Sequence, residues 1–326
     1  MARSISLFLG PVAGAGAPDR GSLQIGAYEP DSATTGVLPG TVLTPLSGNQ
    51  IISTNNVTLL DRDISGIVEV RAANVTIQNC RIRGDATRTT NHGLILATHA
   101  NCVNLQVVDC TIAPDTSTVW QTGILGHDYT ALRNDIYFVI DGCGVYNTNN
   151  PGAATNVVID QNYFHDFPWF SVDPNHADGS HNDCVQIQGG SGCTVRGNSM
   201  NGYFTLMAGR GDGGPKRYGP TQTQTTSCMM FNSNVGNTTA NVVEDNWLRG
   251  GEIGFNMGGV TGNQGHAYRN QFDYGQWFQG SGGTDTHTMD LDALVTLDHG
   301  NSGPASSDPN RNTYVDMQNI TVRTNA

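Results

Sequence analysis

Residues 74–82 read Asn-Val-Thr-Ile-Gln-Asn-Cys-Arg-Ile, and this stretch is one of eight that fit a single nine-residue frame. The frames begin at Asn56, Asn74, Asn104, Tyr137, Asn156, Gly192, Ala240 and Gln264. Positions two, four and nine are mostly apolar, and positions three, five and eight are mostly polar. This alternation indicates a strand, a corner and a second strand. The uneven spacing of the frames indicates stacked coils whose loops differ in length.

Position seven of the frame holds small side chains that change from Cys to Asn along the chain. The residues at this position are Arg62, Cys80, Cys110, Cys143, Asn162, Asn198, Asn246 and Asn270. Stacked thiols pack as small apolar groups, and stacked Asn amides can hydrogen-bond from coil to coil. A sandwich or a helical bundle gives no reason for one corner residue to recur. The sequence therefore predicts an all-β fold, a right-handed single-stranded parallel β-helix.

The frames divide the chain into three predicted parts. Residues 1–48 form an N-terminal arm and cap, residues 49–280 form the β-helix, and residues 281–326 form a C-terminal cap over the last strand edges. Two excursions, 113–135 and 203–227, are predicted to leave the stack as loops.

The first residues resemble a signal peptide only superficially. A Gly-Pro pair interrupts the apolar run within residues 4–17, so we expect no cleaved signal peptide. We expect residues 1–30 to be an arm that docks on a partner protein instead. No stretch of the sequence is apolar for long enough to form a transmembrane helix.

The net charge and the cysteine spacing exclude some classes of partner and of metal site. The net charge is −12, and Lys216 is the only lysine, so nucleic acid and anionic membranes are poor partners. The seven cysteines show no Cys-x-x-Cys spacing of a zinc site. We expect buried free thiols, which suit a chain made in a reducing cytoplasm.

Residues 165–188 hold the densest set of chemical groups. They include His165, Asp166, Asp173, His176, Asp178, His181, Asp183, Gln186 and Gln188, and no Lys or Arg occurs between Arg133 and Arg196. Carboxylates crowded without cations raise one another's pKa, as an acid/base pair or a divalent-cation site requires. The candidate catalytic pair is Asp178 and Asp183, with His176 or His181 tuning it.

Three interpretations of this cluster remain open at the sequence level. It hydrolyses a glycan, it binds a glycan or a divalent cation such as calcium, or it fixes the turn that enters the strand at 184–188. A lyase is disfavoured because no Lys or Arg lies beside Asp178 and Asp183 to act as the base. No other cofactor is predicted.

Aromatic residues at outward positions suggest a sugar-binding surface. Position eight carries Tyr163 and Trp247, and Trp169 lies nearby in the sequence. Together with Gln186 and Gln188, they could form a platform on which sugar rings stack. A subunit interface uses the same residue types and is an equal alternative.

Three stretches carry a family resemblance. They are Asp31-Ser-Ala-Thr-Thr-Gly-Val-Leu-Pro-Gly-Thr-Val-Leu, the frames such as 74–80, and Gly-Ser-His-Asn-Asp-Cys-Val-Gln-Ile-Gln-Gly-Gly at 179–190. They resemble the β-helix minor tail proteins of tailed phages that infect actinobacteria, within the pectate-lyase-like superfamily. The resemblance implies a component of the virion tail that faces the host envelope. Asn182-Asp183-Cys184 is also similar to the Gly-Asp-Asp-Cys motif of polygalacturonases, with Asn in place of the first Asp.

The function expected from the residues and the resemblance is binding of a host cell-surface glycan during adsorption. The alternatives are a polysaccharide depolymerase and a purely structural tail component. The expected partners are two further copies in a homotrimer, other tail proteins through the arm, and the host envelope glycan.

Overall fold

The computed structural model describes residues 29–151, 153, 155–203, 225–251 and 270, together with strand segments outside these ranges. Its regular elements are all β-strands, arranged in three sheets. Among the described residues there is no helix that could cross a membrane. Most of the predicted arm, the excursion at 203–227 and the predicted C-terminal cap lie outside the described residues.

The three sheets run side by side along the stack, and each coil of the chain adds one strand to each sheet. Sheet A contains Arg3–Ser4, Gln50–Ile52, Val68–Val70, His92–Ala97, Gln121–Gly126, Asp141–Val145, Asp183–Gln188, Ser227–Asn232, Ile253–Gly259 and Trp277–Gln279. Sheet B contains Thr44–Ser47, Arg62–Ser65, Arg81–Ile82, Thr111–Ile112, Asp135–Tyr137, Tyr163–His165, Ser199–Gly202, Trp247–Gly250, Gln271–Phe272, Ser302–Pro304 and Tyr314–Asp316. Sheet C contains Thr58–Leu60, Thr76–Gln78, Leu105–Val108, Tyr129–Leu132, Val158–Asp160, Thr194–Arg196, Asn241–Glu244, Gly265–Tyr268 and Val295–Leu297.

The strands pair in parallel from coil to coil, which is the architecture of a parallel β-helix. The one antiparallel pair among the described strands joins Ser302–Pro304 to Tyr314–Asp316. Each turn of the chain passes from sheet C to sheet B and then to sheet A. The all-β, parallel β-helix prediction is therefore confirmed at the level of sheet topology.

The core follows the predicted inner positions of the frame. In sheet C, Ile77 pairs with Val107, and Ile159 pairs with Val195, so position four forms a continuous stack. These four side chains are fully buried. The interior is therefore filled by one cluster of apolar side chains from all three sheets, and each coil stacks on the coils next to it, as in other solenoids.

The corner between sheets C and B contains the predicted ladder. Asn162 Oδ1 accepts hydrogen bonds from the backbone N–H and the Nδ2 of Asn134, both at 2.9 Å. Asn198, Asn246 and Asn270 repeat this arrangement on the following coils. All five Asn side chains are buried. The ladder thus satisfies donors and acceptors that water cannot reach.

One further hydrogen bond explains why either Cys or Asn can occupy this position. Each Asn Nδ2 donates to the carbonyl of position four on the preceding coil, as Asn162 does to Ala131 O at 3.0 Å. The thiols of Cys80 and Cys110 make the equivalent contacts with Leu59 O at 3.4 Å and Ile77 O at 3.5 Å. A thiol is a weak donor, so Cys can take the place of Asn in the first coils of the ladder.

The frame predicted at Tyr137 is wrong, and so is the excursion at 113–135. The coil in this region begins at Asp128, whose sheet C strand Tyr129–Leu132 pairs with Leu105–Val108. Asn134, not Cys143, occupies the ladder. Cys143 lies in sheet A, where it pairs with Ile124 and is buried in the core. The predicted loop therefore contains a complete passage through sheets A and C.

The seven cysteines are all free and buried, as predicted. Burial raises the pKa of the Cys102 thiol to about 12 and that of Cys193 to about 12. Thiols in this state are protonated and unreactive at neutral pH, so they act as small apolar side chains.

A strap formed by residues 29–41 crosses the outer face of sheet B. The backbone N–H of Gly36 donates to Arg133 O at 2.9 Å, and that of Leu38 donates to Asn79 Oδ1 at 2.7 Å. At its other end, Glu29 accepts a hydrogen bond from Ser199 and pairs with Arg249 at 2.6 Å. This part of the predicted N-terminal segment packs on the protein's own β-helix.

Candidate functional site

Two aspartates lie side by side on neighbouring strands of sheet A. Asp141 and Asp183 begin the strands Asp141–Val145 and Asp183–Gln188, and they are direct partners in the register. The backbone N–H of Asp183 donates to Asp141 Oδ1 at 3.0 Å, and Asp183 Oδ2 accepts from Gln186 Nε2 at 3.2 Å. Asp183 is fully buried. Sheet pairing therefore brings together carboxyls that are 42 residues apart in the sequence.

The two carboxyls oppose each other's ionisation. Burial raises the pKa of Asp141 well above its ordinary value, and the negative charge of Asp183 raises it further. The hydrogen bond from the Asp183 N–H offsets part of this effect, and the charge of Asp173 adds to it. The raised pKa of Asp141 beside a second carboxyl is the direction of shift that a general acid next to a carboxylate base requires.

The turn that precedes this strand gathers His176, Asp178 and His181. The imidazole rings of the two histidines stack with centroids 3.8 Å apart, and His181 Nε2 lies 3.0 Å from Asp178 Oδ1. One nitrogen or oxygen from each of the three residues falls within 4.8 Å of the others. These three predicted residues therefore form one cluster, while Asp183 lies in the sheet with Asp141.

The outer face of sheet A forms an open groove of about 370 Å³. Its lining includes Leu96, Leu125 and Tyr146, with Glu69 and Arg88 among the charged residues. The volume falls within the range of about 300–1,000 Å³ that is typical of small-molecule sites. Apolar and aromatic surface next to charged groups is the composition that sugar rings and their hydroxyls require.

Gln186 and Gln188 extend the same face. The register places Gln186 beside Gly144, and it places Ile187 beside Val145, the residue before Tyr146. Gln186 and Gln188 are hydrogen-bonded to each other. Both are partly exposed, so their amides can meet a ligand that runs along the stack from the groove.

The outer face of sheet B carries a separate charged and aromatic cluster. The ring of His165 stacks between Tyr163 and Tyr137, with centroids 4.3 and 4.7 Å away. Its Nε2 lies 2.8 Å from Asp135 Oδ1, and its Nδ1 lies 2.7 Å from Asp166 Oδ2. Tyr163 is thus part of a packed cluster on a different face from Gln186 and Gln188.

Burial of His165 by itself lowers its pKa, but the hydrogen bonds and charges of Asp135 and Asp166 outweigh this effect. The net result raises the pKa of His165 to about 9. The hydrogen bond to His165 lowers the pKa of Asp166. The imidazole is therefore charged at neutral pH and is held by two carboxylates.

The structure does not bring the five predicted glycan-binding residues together. Trp169 is buried and packs against Gly179, where an added β-carbon would lie 2.3 Å from its ring. Trp247 is 8% exposed, beside Ser199, which bonds to the strap. Neither indole offers an open face for a sugar ring. Gln186 and Gln188 remain on sheet A, and Tyr163 on sheet B.

Sequence reasoning missed Asp141 and Tyr146, the residues that complete the two sites on sheet A. Asp141 lies within the wrongly placed frame that starts at Tyr137, and Tyr146 is the residue that follows this frame. A frame starting at Asp128 would have placed residues 141–145 on the next strand. The signal for it was an Asp at position one and Asn134 at position seven.

Comparisons with known proteins add no identification. The chain matches no protein-family model, and no curated protein matches it in sequence.

Proposed function

We propose that this protein is a minor tail protein of a phage of actinobacteria, and that it binds a host cell-surface glycan along the outer face of sheet A. The observation that carries the binding proposal is the open groove with Tyr146 beside its leucines, which continues towards Gln186 and Gln188. The resemblance stated above, carried by the frames and by residues 179–190, supports placement on the virion tail.

The proposal includes the assembly. We propose a right-handed β-helix that forms a homotrimer, with the arm at 1–30 joining other tail proteins. Exposed apolar residues outside the groove, among them Leu60 and Val103, give such an assembly surface to bury. Three copies related by symmetry would use the same patch on each.

The test of glycan binding compares two tyrosines on different faces. Tyr146→Ala should weaken binding to isolated envelope polysaccharide about fivefold, because loss of one stacking ring costs on the order of 1 kcal/mol. Binding is measured by titration calorimetry or by retention on immobilised polysaccharide.

The matched control for this test is Tyr163→Ala, a tyrosine on sheet B, which should leave binding unchanged. If Tyr163→Ala abolishes binding and Tyr146→Ala does not, the ligand lies on sheet B and the proposed site is wrong. Failure of both variants to affect binding would exclude aromatic stacking on either face.

A second candidate function is hydrolysis of the same glycan. It is favoured by the Asp141–Asp183 pair, in which burial and the charge of Asp183 raise the pKa of Asp141. Glycosidases use one protonated and one ionised carboxyl in this way. The sequence-based pair of Asp178 and Asp183 is replaced in this proposal by Asp141 and Asp183.

Hydrolysis is tested by release of reducing sugar from envelope polysaccharide. Asp141→Asn and Asp183→Asn should each reduce release by at least a hundredfold and leave glycan binding intact, since general acid–base catalysis contributes about 10²–10⁴-fold. Asp115→Asn, an exposed aspartate outside the pair, is the control and should retain activity. Absence of any release by the wild-type chain would leave binding as the function.

A further inference from the structure

The turn at residues 173–181 contains ligand chemistry that glycan binding does not use. We propose that His176, Asp178 and His181 bind one divalent transition-metal cation of the zinc class. Within the described residues, they are the one group of three such side chains whose ligand atoms lie within 4.8 Å of one another. The proposal is independent of the proposed glycan function.

One ligand atom from each of the three side chains lies within 4.8 Å of the other two, so all three are within reach of one ion. Zinc bonds of about 2.0–2.1 Å in a tetrahedral site place neighbouring ligand atoms about 3.4 Å apart, and His181 Nε2 and Asp178 Oδ1 are already 3.0 Å apart. The two imidazole rings stack at 3.8 Å, and because the nitrogen lone pairs lie in the ring planes, both rings must turn out of this stack to bind the same ion. The ion would then replace the hydrogen bond between His181 and Asp178 with one bond to each residue.

The turn is held in place by bonds that do not involve the three ligands' side chains. Ser180 exchanges hydrogen bonds with Phe170, from its N–H to Phe170 O at 2.8 Å and to its Oγ from Phe170 N at 3.0 Å. Asn182 Nδ2 donates to Pro168 O at 2.8 Å. Gly179 adopts a φ of +99° against the buried ring of Trp169. The ligand positions are therefore largely fixed before a metal binds.

The ligand types select the metal. Two imidazoles and one carboxylate suit zinc and its neighbours in the first transition row, whereas calcium takes oxygen ligands only. The calcium expected from the carboxylates alone is therefore replaced by a zinc-class ion in this proposal. Three protein ligands leave one tetrahedral position for water or a ligand oxygen, as in sites that act on a bound group.

The site is accessible to solvent, and the sequence around it carries no basic residue. The side chains of His181 and Asp178 are 23% and 46% exposed, so a metal can enter from solvent. No Lys or Arg occurs in the sequence between Arg133 and Arg196. The nearby Asp173 pairs with His176 through the backbone and adds a further negative charge.

The experiment titrates the full-length, metal-stripped chain with Zn²⁺ against a chromogenic chelator. One equivalent should bind with micromolar or tighter affinity. His181→Ala and Asp178→Asn should each weaken binding at least tenfold, and Ca²⁺ at millimolar concentration should not compete. The matched control is His99→Ala, a histidine outside the cluster, which should bind as the wild type does.

Thermal unfolding provides the second measurement. Zn²⁺ should raise the Tm of the wild type but not that of His181→Ala, because only a folded site gains binding energy. Without metal, the variant should unfold at a Tm close to the wild type's, which shows that it is folded. The proposal is overturned if the wild type binds no Zn²⁺, or if Zn²⁺ binding is unchanged in both His181→Ala and Asp178→Asn, or equally weakened in His99→Ala.

Discussion

Asn162→Ala should lower the free energy of unfolding by about 3–5 kcal/mol, because it removes four buried hydrogen bonds and leaves their partners without water. The lost bonds join Asn162 to the N–H and Nδ2 of Asn134, to Ala131 O and to Asn198 Oδ1. The three Asn side chains are fully buried. Chemical denaturation with an unchanged m-value measures the effect.

Two further variants distinguish the loss of the ladder hydrogen bonds from the general effect of replacing an Asn. Asn162→Cys should lose less stability than Asn162→Ala, because the thiol of Cys110 already bonds to the equivalent carbonyl, Ile77 O, in the same ladder. Asn101→Ala, at an exposed position, should change stability by less than about 0.5 kcal/mol. Equal losses in Asn162→Ala and Asn162→Cys would show that the ladder bonds do not determine stability.

The frame could be predicted from the sequence because each coil repeats the same strands and the same two corners. Its two corners need residues that tolerate positive φ, and position one supplies Asn56 at 60° and Asn74 at 55°, while position six supplies Asp61 at 53° and Asn79 at 54°. Asn and Asp adopt this conformation at lower cost than other side chains. The pattern therefore marks corners as well as strands.

The same pattern misled at Cys143 for a physical reason. Cys143 lies in sheet A, in register with Ile124 and Val185, so it continues a run of cysteines in the sequence without sharing their place in the coil. The true coil has Ala131 at position four, a weak apolar signal. Periodicity alone does not decide between two registers when both put small residues inside.

The acidic cluster could be located from the sequence, but its pairing could not. Asp178 and Asp183 are close in the chain, yet the turn places Asp178 with the histidines and the sheet places Asp183 beside Asp141. The number of residues in each coil's loop determines that partnership, and only the stacked structure shows it.

Alternation predicted the outward direction of Trp247 but not its surroundings. Its neighbour Ser199 and its strand mate Arg249 both contact Glu29 of the strap. The alternation of residues in a strand shows which side chains face outward. It does not show whether another segment of the chain, such as the strap, covers that face. Tyr146 is the opposite case. It lines an open groove, but the misplaced frame at Tyr137 gave no reason to select it from the sequence.

Stability should fall as the pH rises from about 7 to 9.5, and the fall should depend on His165. The folded-state pKa of His165 is raised to about 9, above the ordinary value of 6.5. The folded protein therefore binds the proton more tightly than the unfolded chain. Its contribution is fully present below pH 6.5 and is lost as the pH rises through about 9, with a total on the order of 3 kcal/mol.

The measurement is the difference in unfolding free energy between the wild type and His165→Gln across this pH range. Other groups also titrate above pH 9, and subtraction of the variant removes their shared contribution. The difference should be largest near pH 6 and should shrink steadily towards pH 9.5. Asp135→Asn should flatten this dependence, because the carboxylate 2.8 Å from His165 Nε2 stabilises the imidazolium. His99→Ala should keep the wild-type slope. A difference that does not vary with pH would mean that folding leaves the pKa of His165 unchanged, and the ion pairs with Asp135 and Asp166 would then contribute nothing to stability.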